Sequence, residues 1–575
     1  MTRKIFLFLF LCILFANQAW AQSGTYTANG VTWKYKLEGS PKTATITGEV
    51  LGKTVFSSAL NIPNDIVHGG THYTVTKIND NAFSDYGEAT TLSIPTSVTT
   101  IGKYAFSQCK KMTGTLYLPN VTTIGDNAFT NCMGLTGKLD LPNVITISNA
   151  AFFGCRGLTG KLKLPNVTTI GKYAFMNCMG LTGKLELPNV TTIGNEAFRN
   201  CTGLMSLSLP KVTIISGWAF AGCRGLEGIL ELPKTLTSLG EYAFSNSIST
   251  TIKAIKFENG TNLLYPEHLC FSGAYVAYID MVGVNFPSGF IASKSNLGAS
   301  GFTMVYLPST VSIDPSDINV VRGNICNKLE IYEAAGSYYN GNIGCDYPIQ
   351  YPFTATKATY NRGFYNGICQ TLYLPYPATL PNGMRAYTLQ AKTVHGGITH
   401  FRFVSIGDGG TQLQANKPYL IRVTDGSTSK QFGMDVNVQV PVTPGIASTE
   451  VQDANGQGFY FGGTTENIDN ATAAGMKAYN LINNEWRPIR TDNPNGYIHS
   501  FRAYMRTTGA APAKGFAIVL DDEDSTTGID TAVENEVEQG DSPIYTLDGK
   551  LMGTDIDALP SGEIYVKNGK KFYKF

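Results

Sequence analysis

No sign of charge dominates this chain: 44 Lys and Arg stand against 43 Asp and Glu, a formal net charge of +1 over 575 residues. That balance argues against nucleic acid as the main partner, because neutralising phosphates takes a basic excess or stripe. Charged residues are few, at 15%, yet 43% apolar residues is too many for a disordered chain. After the first residues no apolar run approaches the ~20 residues of a membrane helix. No G-x-S-x-G elbow, Walker loop or dinucleotide fingerprint occurs. The expectation is therefore a non-enzymatic protein without a cofactor. The enzyme alternative would need distant carboxylates or a Ser/His pair to gather within residues 340–525. His68-Gly-Gly-Thr-His72 and His395-Gly-Gly-Ile-Thr-His400 have Gly-Gly where a zinc-binding helix has a helix former, and no Glu between. Both read as turns between strands, and no metal site is expected.

What is abundant is glycine (61), with 30 Tyr and 30 Phe, a composition for strands and turns. The length implies two to four modules. Arg3 and Lys4 precede an unbroken apolar run from Ile5 to Phe15, and Ala19-Trp20-Ala21 offers a small-x-small cleavage site. Residues 1–21 read as a secretory signal peptide, and its apolar run is too short to span a bilayer.

The chain then repeats itself. Cysteines at 109, 132, 155, 178 and 201 are each 23 residues apart, and Cys223 follows. Phe83, Phe106, Phe129, Phe152, Phe175, Phe198, Phe220 and Phe244, each after an Ala, keep nearly the same step. So do Pro95, Pro119, Pro142, Pro165, Pro188, Pro210 and Pro233. In the unit LELPNVTTIGNEAFRNCTGL, Leu185-Glu186-Leu187 alternates like a strand with one buried face, and Pro188 ends it. Val190 and Ile193 recur as apolar anchors, Gly194 marks a turn, and Ala197, Phe198 and Cys201 have the spacing of a short inward-facing helical or 3₁₀ turn. One unit cannot close a core, but stacked units cover one another, and a 23-residue period falls within the leucine-rich-repeat range.

The motif L-x-L-P-x-V-T-x-I-G-x-x-A-F-x-x-C-x-x-L, matched unit after unit from about Ile94 to Phe244, resembles the BspA-like leucine-rich-repeat surface proteins of Bacteroides-type bacteria. Proteins of that family are typically cell-surface adhesins. The resemblance implies extracellular host or bacterial surface proteins or glycans as partners.

The predicted fold is mostly β with short helical turns. It comprises a leucine-rich-repeat solenoid, an antiparallel β sandwich or barrel-like region and a small C-terminal β module. The expected boundaries are an N-terminal β cap at 22–60, regular repeats at 61–250, degenerate repeats and a cap at 251–335, a β-rich module at 336–520, an acidic linker at 521–541 and a last module at 542–575. Strand runs such as Gln370–Leu374 and Pro418–Ile421, separated by Gly, Asn and Asp, carry the β-rich reading. The final segment has two strand-like runs, an Asn568-Gly569 hairpin pair and the basic tail Lys570–Lys574. It resembles the C-terminal sorting domain of the type IX secretion system, which implies contact with that machinery and display at the outer-membrane surface or release.

Alternation along the L-x-L runs places Ser93, Tyr117, Asp140, Lys163, Glu186, Ser208 and Glu231 on the solvent side of one continuous sheet. Lys138, Lys161 and Lys184 flank that column as a basic stripe. These positions are the candidate ligand-binding face, although solubility alone also demands polar residues there. The cysteines at 109, 132, 155, 178, 201 and 223 form an expected buried thiol ladder. Export to an oxidising compartment keeps disulfides or metal open as alternatives, and Cys326, Cys345 and Cys369 form a separate set with a Cys345–Cys369 bridge conceivable. The functional expectation is an exported adhesin-like protein. Glycan capture for nutrient uptake and a structural surface component are its rivals.

Overall fold

A computed structural model describes residues 22–28, 30–49, 59–245, 248–266, 269–273, 276–299, 303–332, 349–395, 398–434, 437–441, 448–452, 458–465, 468–482, 484–492, 498–499, 501–509, 516–521, 543–546, 550–555, 558–559, 563–567 and 570–574. The signal-peptide segment, Cys345, nearly all of the acidic linker and the Asn568-Gly569 turn lie outside them. The chain divides into two compact units, Met1–Gly301 with Val305–Asp314, and Phe302–Met304 with Pro315–Phe575.

The first unit opens with an antiparallel meander of Ser23–Ala28, Val31–Gly39 and Lys42–Glu49. Trp33, Tyr35 and Leu37 alternate inward and close the end of the core. Thr71–Ile78 adds to Lys42–Glu49 in parallel and starts the solenoid. From there one two-residue strand per coil stacks in parallel: Thr100–Ile101, Thr123–Ile124, Thr146–Ile147, Thr169–Ile170, Thr192–Ile193, Ile214–Ile215 and Ser238–Leu239. Each strand buries its second residue and turns its first outward.

The continuous sheet of the regular coils therefore runs through the Thr-Ile pairs and not, as expected, through the L-x-L runs. Along the latter, pairing is broken into three two-stranded pieces, Ala59–Asn61 with Thr91–Ser93, Gly114–Thr115 with Leu135–Thr136 and Gly183–Glu186 with Leu204–Ser208, with single bridges such as Asp140↔Lys163 and Lys163↔Glu186 between the last two, while Leu226–Leu232 pairs with Ile248–Phe257. The physical reason is local. Gly137, Gly160 and Gly183 precede their L-x-L runs at φ of 74–78°, a left-handed kink that disrupts regular pairing, and a proline follows each of these runs. Alternation survives nonetheless: Leu185 and Leu187 are buried and Glu186 is exposed.

The turn around each Ala-Phe pair is not helical either. Its N–H groups bond alternately within the coil and across to the next. Phe129 and Asn131 donate to Ala151 O and Phe153 O, at 2.8 and 2.6 Å. Between them Ala128 and Thr130 donate to Gly125 O and Asn127 O, three residues back. This satisfies the buried backbone of a segment with no regular structure. The inward phenylalanines stack from Phe83 to Phe244 with ring centroids 5.2–5.4 Å apart and planes within 3–15°. Asn120, Asn143, Asn166 and Asn189 tie the corner after the proline, each carboxamide donating to a carbonyl of the preceding coil at 2.6–2.9 Å.

In the second unit Val320–Arg322, Ile325–Tyr332, Phe353–Gly363, Ser429–Met434, Ala378–Thr379 and Gln412–Leu413 lie side by side in that order. A ten-stranded, mostly antiparallel sheet holds the aromatic core of Tyr387, Phe401, Phe403, Phe459, Phe461, Tyr479, Trp486 and Phe516. The tail strands Ile544–Thr546, Leu551–Gly553, Glu563–Lys567 and Lys570–Lys574 make a four-stranded antiparallel sheet over Ile544, Leu559 and Tyr565. Among the described residues the α-helices are Lys294–Leu297 and Asn470–Gly475, capped by Ser293 and Asp469.

In the coils from Cys132 to Cys223, where a glycine stands two residues after the cysteine, coil spacing leaves no room for a side chain there. A Cβ on Gly180 would stand 2.4 Å from Leu158 O and 2.9 Å from Arg156 O, both backbone. We expect Gly180→Ala to cost about 1–3 kcal/mol in urea unfolding. The exposed neighbour change Thr182→Ala should stay within about 0.5 kcal/mol. Equal midpoints for the two variants would contradict this packing.

Candidate functional site

The candidate face is the outer surface of the L-x-L segments. Tyr117 projects with 68% of its surface exposed. Lys138, Asp140, Lys161, Lys163, Lys184, Glu186 and Glu231 are also exposed. Ser208 is only half-buried and falls short of the expected exposure. Its coil lacks one residue between Leu204 and Leu207, and the ladder absorbs the loss by shifting register between Gly183 and Lys184.

The lysines are held by the coil spacing. An added Cβ at Gly160 would lie 3.2 Å from Lys138 Cγ, and one at Gly183 would lie 3.7 Å from Lys161 Cγ and Cε. Each aliphatic stem thus lies over the glycine of the next coil with its ammonium free in solvent. Lys163 pairs with Asp140 at 3.4 Å and Lys184 with Glu186 at 3.7 Å. Such exposed pairs contribute about 0–1 kcal/mol each. Among the described residues no carboxylate pairs with Lys138 or Lys161, so two adjacent coils present unmatched positive charge beside Tyr117.

Inside the same coils the six ladder cysteines, Cys109, Cys132, Cys155, Cys178, Cys201 and Cys223, are fully buried free thiols. Each Sγ–H donates to the phenylalanine carbonyl of the preceding coil, as from Cys132 to Phe106 O and Cys223 to Phe198 O at 3.0 Å. Burial pushes the Cys155 and Cys223 thiols up to about 12. Cys326 and Cys369 are buried as well. Among the described residues no cluster of three His, Cys, Asp or Glu side chains is arranged to hold a metal. His68 and His72 flank a two-residue Gly69-Gly70 turn and part: His68 Nδ1 meets the Tyr35 hydroxyl at 2.8 Å, and His72 pairs with Asp65. His395 and His400 sit in two antiparallel strands, and His400 is buried.

Sequence reasoning missed a second column. The residue just before each Ala-Phe pair is Asn81, Tyr104, Asn127, Ala150, Tyr173, Glu196, Trp218 and Tyr242, and every one has φ of 51–59°. Four of the eight are aromatic and solvent-facing at one edge of the solenoid. Tyr104 and Tyr173 are 43% and 39% exposed. Trp218 and Tyr242 are half-buried, their rings stacked 4.4 Å apart, with the Arg199 guanidinium 4.9 Å over Trp218 and bonded to Glu196 at 2.6 Å. Reading the units column by column, not residue by residue along a strand, exposes this set.

The parallel coils, one short strand each around a column of inward leucine, isoleucine and phenylalanine, define a leucine-rich-repeat solenoid. Residues 47–159 and 168–285 match the family model of the BspA type leucine-rich repeat region, in six copies. Similar solved structures include a leucine-rich cell surface protein from Faecalibacterium prausnitzii, at 22% identity over 52% of this chain and 95% of that one, with a TM-score of 0.28. A leucine-rich repeat protein from Bacteroides ovatus is 17% identical over 54% and 96%, with a TM-score of 0.34. The pneumococcal vaccine antigen PcpA is 18% identical over 52% and 98%, with a TM-score of 0.25. No curated protein sequence matches the chain. Among the described residues no helix is long and apolar enough to cross a membrane.

The thiol ladder carries a pH prediction. Native thiols raised toward 12 stay protonated where the unfolded chain has already ionised, above its ordinary value of 9.0. Their contribution is therefore complete below pH 9 and lost as pH climbs toward 12, at up to about 1.4 kcal/mol per unit for each thiol. Unfolding free energy measured from pH 8 to 11 should fall less steeply in Cys155→Ala than in the wild type. Parallel slopes would contradict the assignment.

Proposed function

We propose that this is an exported, non-enzymatic, adhesin-like surface protein whose solenoid binds protein or glycan ligands through its outer face. The observation that carries the reading is the contrast within the coils. Inward positions repeat almost without change, as Leu139, Leu162 and Leu185 do, while the residue beside them runs through Tyr117, Asp140, Lys163, Glu186 and Glu231. The core specifies the solenoid and leaves the outer column to be read by a partner. An extended, rigid surface suits multi-point contact. The leucine-rich-repeat match and the cell-surface description of the Faecalibacterium protein support this reading. In it, residues 336–520 act as a spacer or second binding module, and the four-stranded tail sheet serves export and anchoring.

The test is binding of the full chain to matrix proteins, mucins and polysaccharides, with Lys138→Glu/Lys161→Glu/Lys184→Glu alongside. We expect saturable binding that the triple variant weakens about tenfold or more, equivalent to ~1.4 kcal/mol. No binding to any member of the panel would overturn the reading and leave a structural surface role. The export role is tested by truncation after Asp541. Retention in the periplasm is expected, and unchanged surface display would contradict it.

A further inference from the structure

The aromatic edge calls for an explanation that the fold does not supply. A left-handed backbone at the position before Ala-Phe is required in every coil from Asn81 to Tyr242. Glycine and asparagine adopt that conformation most readily, and bulky side chains are disfavoured there. The chain itself uses the cheaper choice at Asn81 and Asn127, with φ of 56° and 58°. The coil therefore needs the turn and not a ring. Yet Tyr104, Tyr173, Trp218 and Tyr242 occupy the same position at φ of 54–59°. Strained backbone held in place by its surroundings is characteristic of functional positions.

We propose that this edge is a binding row for a neutral glycan chain, separate from the lysine face. The Tyr104 and Tyr173 rings have no aromatic neighbour among the described residues, and the coil before Tyr173 offers only the Ala150 methyl. They stand three coils apart in a stack whose step is 5.2–5.4 Å. The Arg199–Trp218–Tyr242 stack extends the row with rings already fixed in place. A sugar presents an apolar C–H face to a ring and hydroxyls at its rim, so it needs flat aromatic surface beside both donors and acceptors.

The edge supplies that mixture. Lys103 faces Asp126 at 3.5 Å, Arg199 is bonded to Glu196, and Asn127, Asn149 and Asn195 lie between the rings in sequence. Two of the cations are paired and only Lys172, exposed beside Tyr173, stands without a carboxylate among the described residues, so signs are mixed along the row and no strong single-sign field favours a polyanion. Tyr104 and Tyr173 are also set apart from each other and from the Trp218–Tyr242 pair by Asn127, Ala150 and Glu196, and the rings do not merge into one contiguous apolar patch typical of the core of a protein interface. Rings at whole multiples of one step suit a ligand that is itself periodic.

This inference goes beyond the lysine-face reading and can fail alone. The experiment is native affinity electrophoresis of the full chain through gels containing soluble β-glucan, galactomannan, arabinoxylan or heparin. Tyr104→Asn/Tyr173→Asn is compared with the wild type and with the triple lysine variant. Asparagine is native to this column, so the double variant should keep its Tm within about 2 °C. We expect a neutral polysaccharide to retard the wild type and the lysine variant alike, and the tyrosine variant to lose at least tenfold in apparent affinity. Retardation by heparin alone, binding to proteins alone, or retardation unchanged by the tyrosine substitutions would overturn the proposal. So would a Tm lowered by more than about 5 °C, since the rings would then be structural. Loss in the lysine variant but not in the tyrosine variant would sink this inference while supporting the lysine face.

Discussion

The constraint on which the solenoid depends is the register between successive Phe–Cys turns. Eight phenylalanines stack at 5.2–5.4 Å. Around them alternate backbone N–H groups cross from coil to coil, and each thiol donates to a phenylalanine carbonyl. A ring pair in this offset geometry contributes roughly 0.5–1.5 kcal/mol beyond its burial. The larger effect is geometric: a turn that must match its neighbours on both sides at ring, thiol and backbone at once tolerates no change in length. From Gly125 to Cys132, Gly171 to Cys178 and Gly194 to Cys201 the spacing is constant, whereas other parts of the coil vary. One residue is missing between Leu204 and Leu207, and one is added between Pro233 and Leu236. The missing residue is absorbed along the interrupted L-x-L ladder by a register shift between Gly183 and Lys184.

The consequence for function is a division of labour within each coil. The inward residues and the close-approach glycines fix the step, and the outward residues are free to differ. Two outward columns result. One carries unmatched lysines and Tyr117 along the L-x-L face. The other carries tyrosine and tryptophan along the turn edge, held by a backbone that the fold requires for its own reasons. Because both are built on the same step, the residues of each stand at whole multiples of it on a rigid scaffold, so little order has to be created when a long partner binds.

The sequence was most informative where the physics is local and repeated. The period, the inward Phe and Cys columns and the exposed Glu186 between buried Leu185 and Leu187 follow from spacing alone. The continuous sheet did not, because a two-residue Thr-Ile strand carries no alternation to read, while L-x-L does and is nonetheless interrupted by left-handed glycines. Ser208 went astray through a single missing residue. The aromatic edge escaped notice because its members share a column across coils and not a pattern along the chain. In the second unit strands were legible but their partners were not: His400 pairs with Ala517, and Cys369 N–H donates to Asn484 Oδ1 at 2.8 Å, contacts between distant parts of the chain.

The register claim is tested most directly by single-alanine insertions, followed by urea unfolding of the full chain. One insertion follows Met205, where it restores the 23-residue spacing. The other follows Phe152, inside the Phe–Cys turn. The account predicts that the first leaves the solenoid transition within about 1 kcal/mol of the wild type, and that the second abolishes its cooperative unfolding or lowers its stability by more than about 3 kcal/mol. Similar effects from the two insertions would contradict it, because the turn would then be no more constrained than the strand that follows.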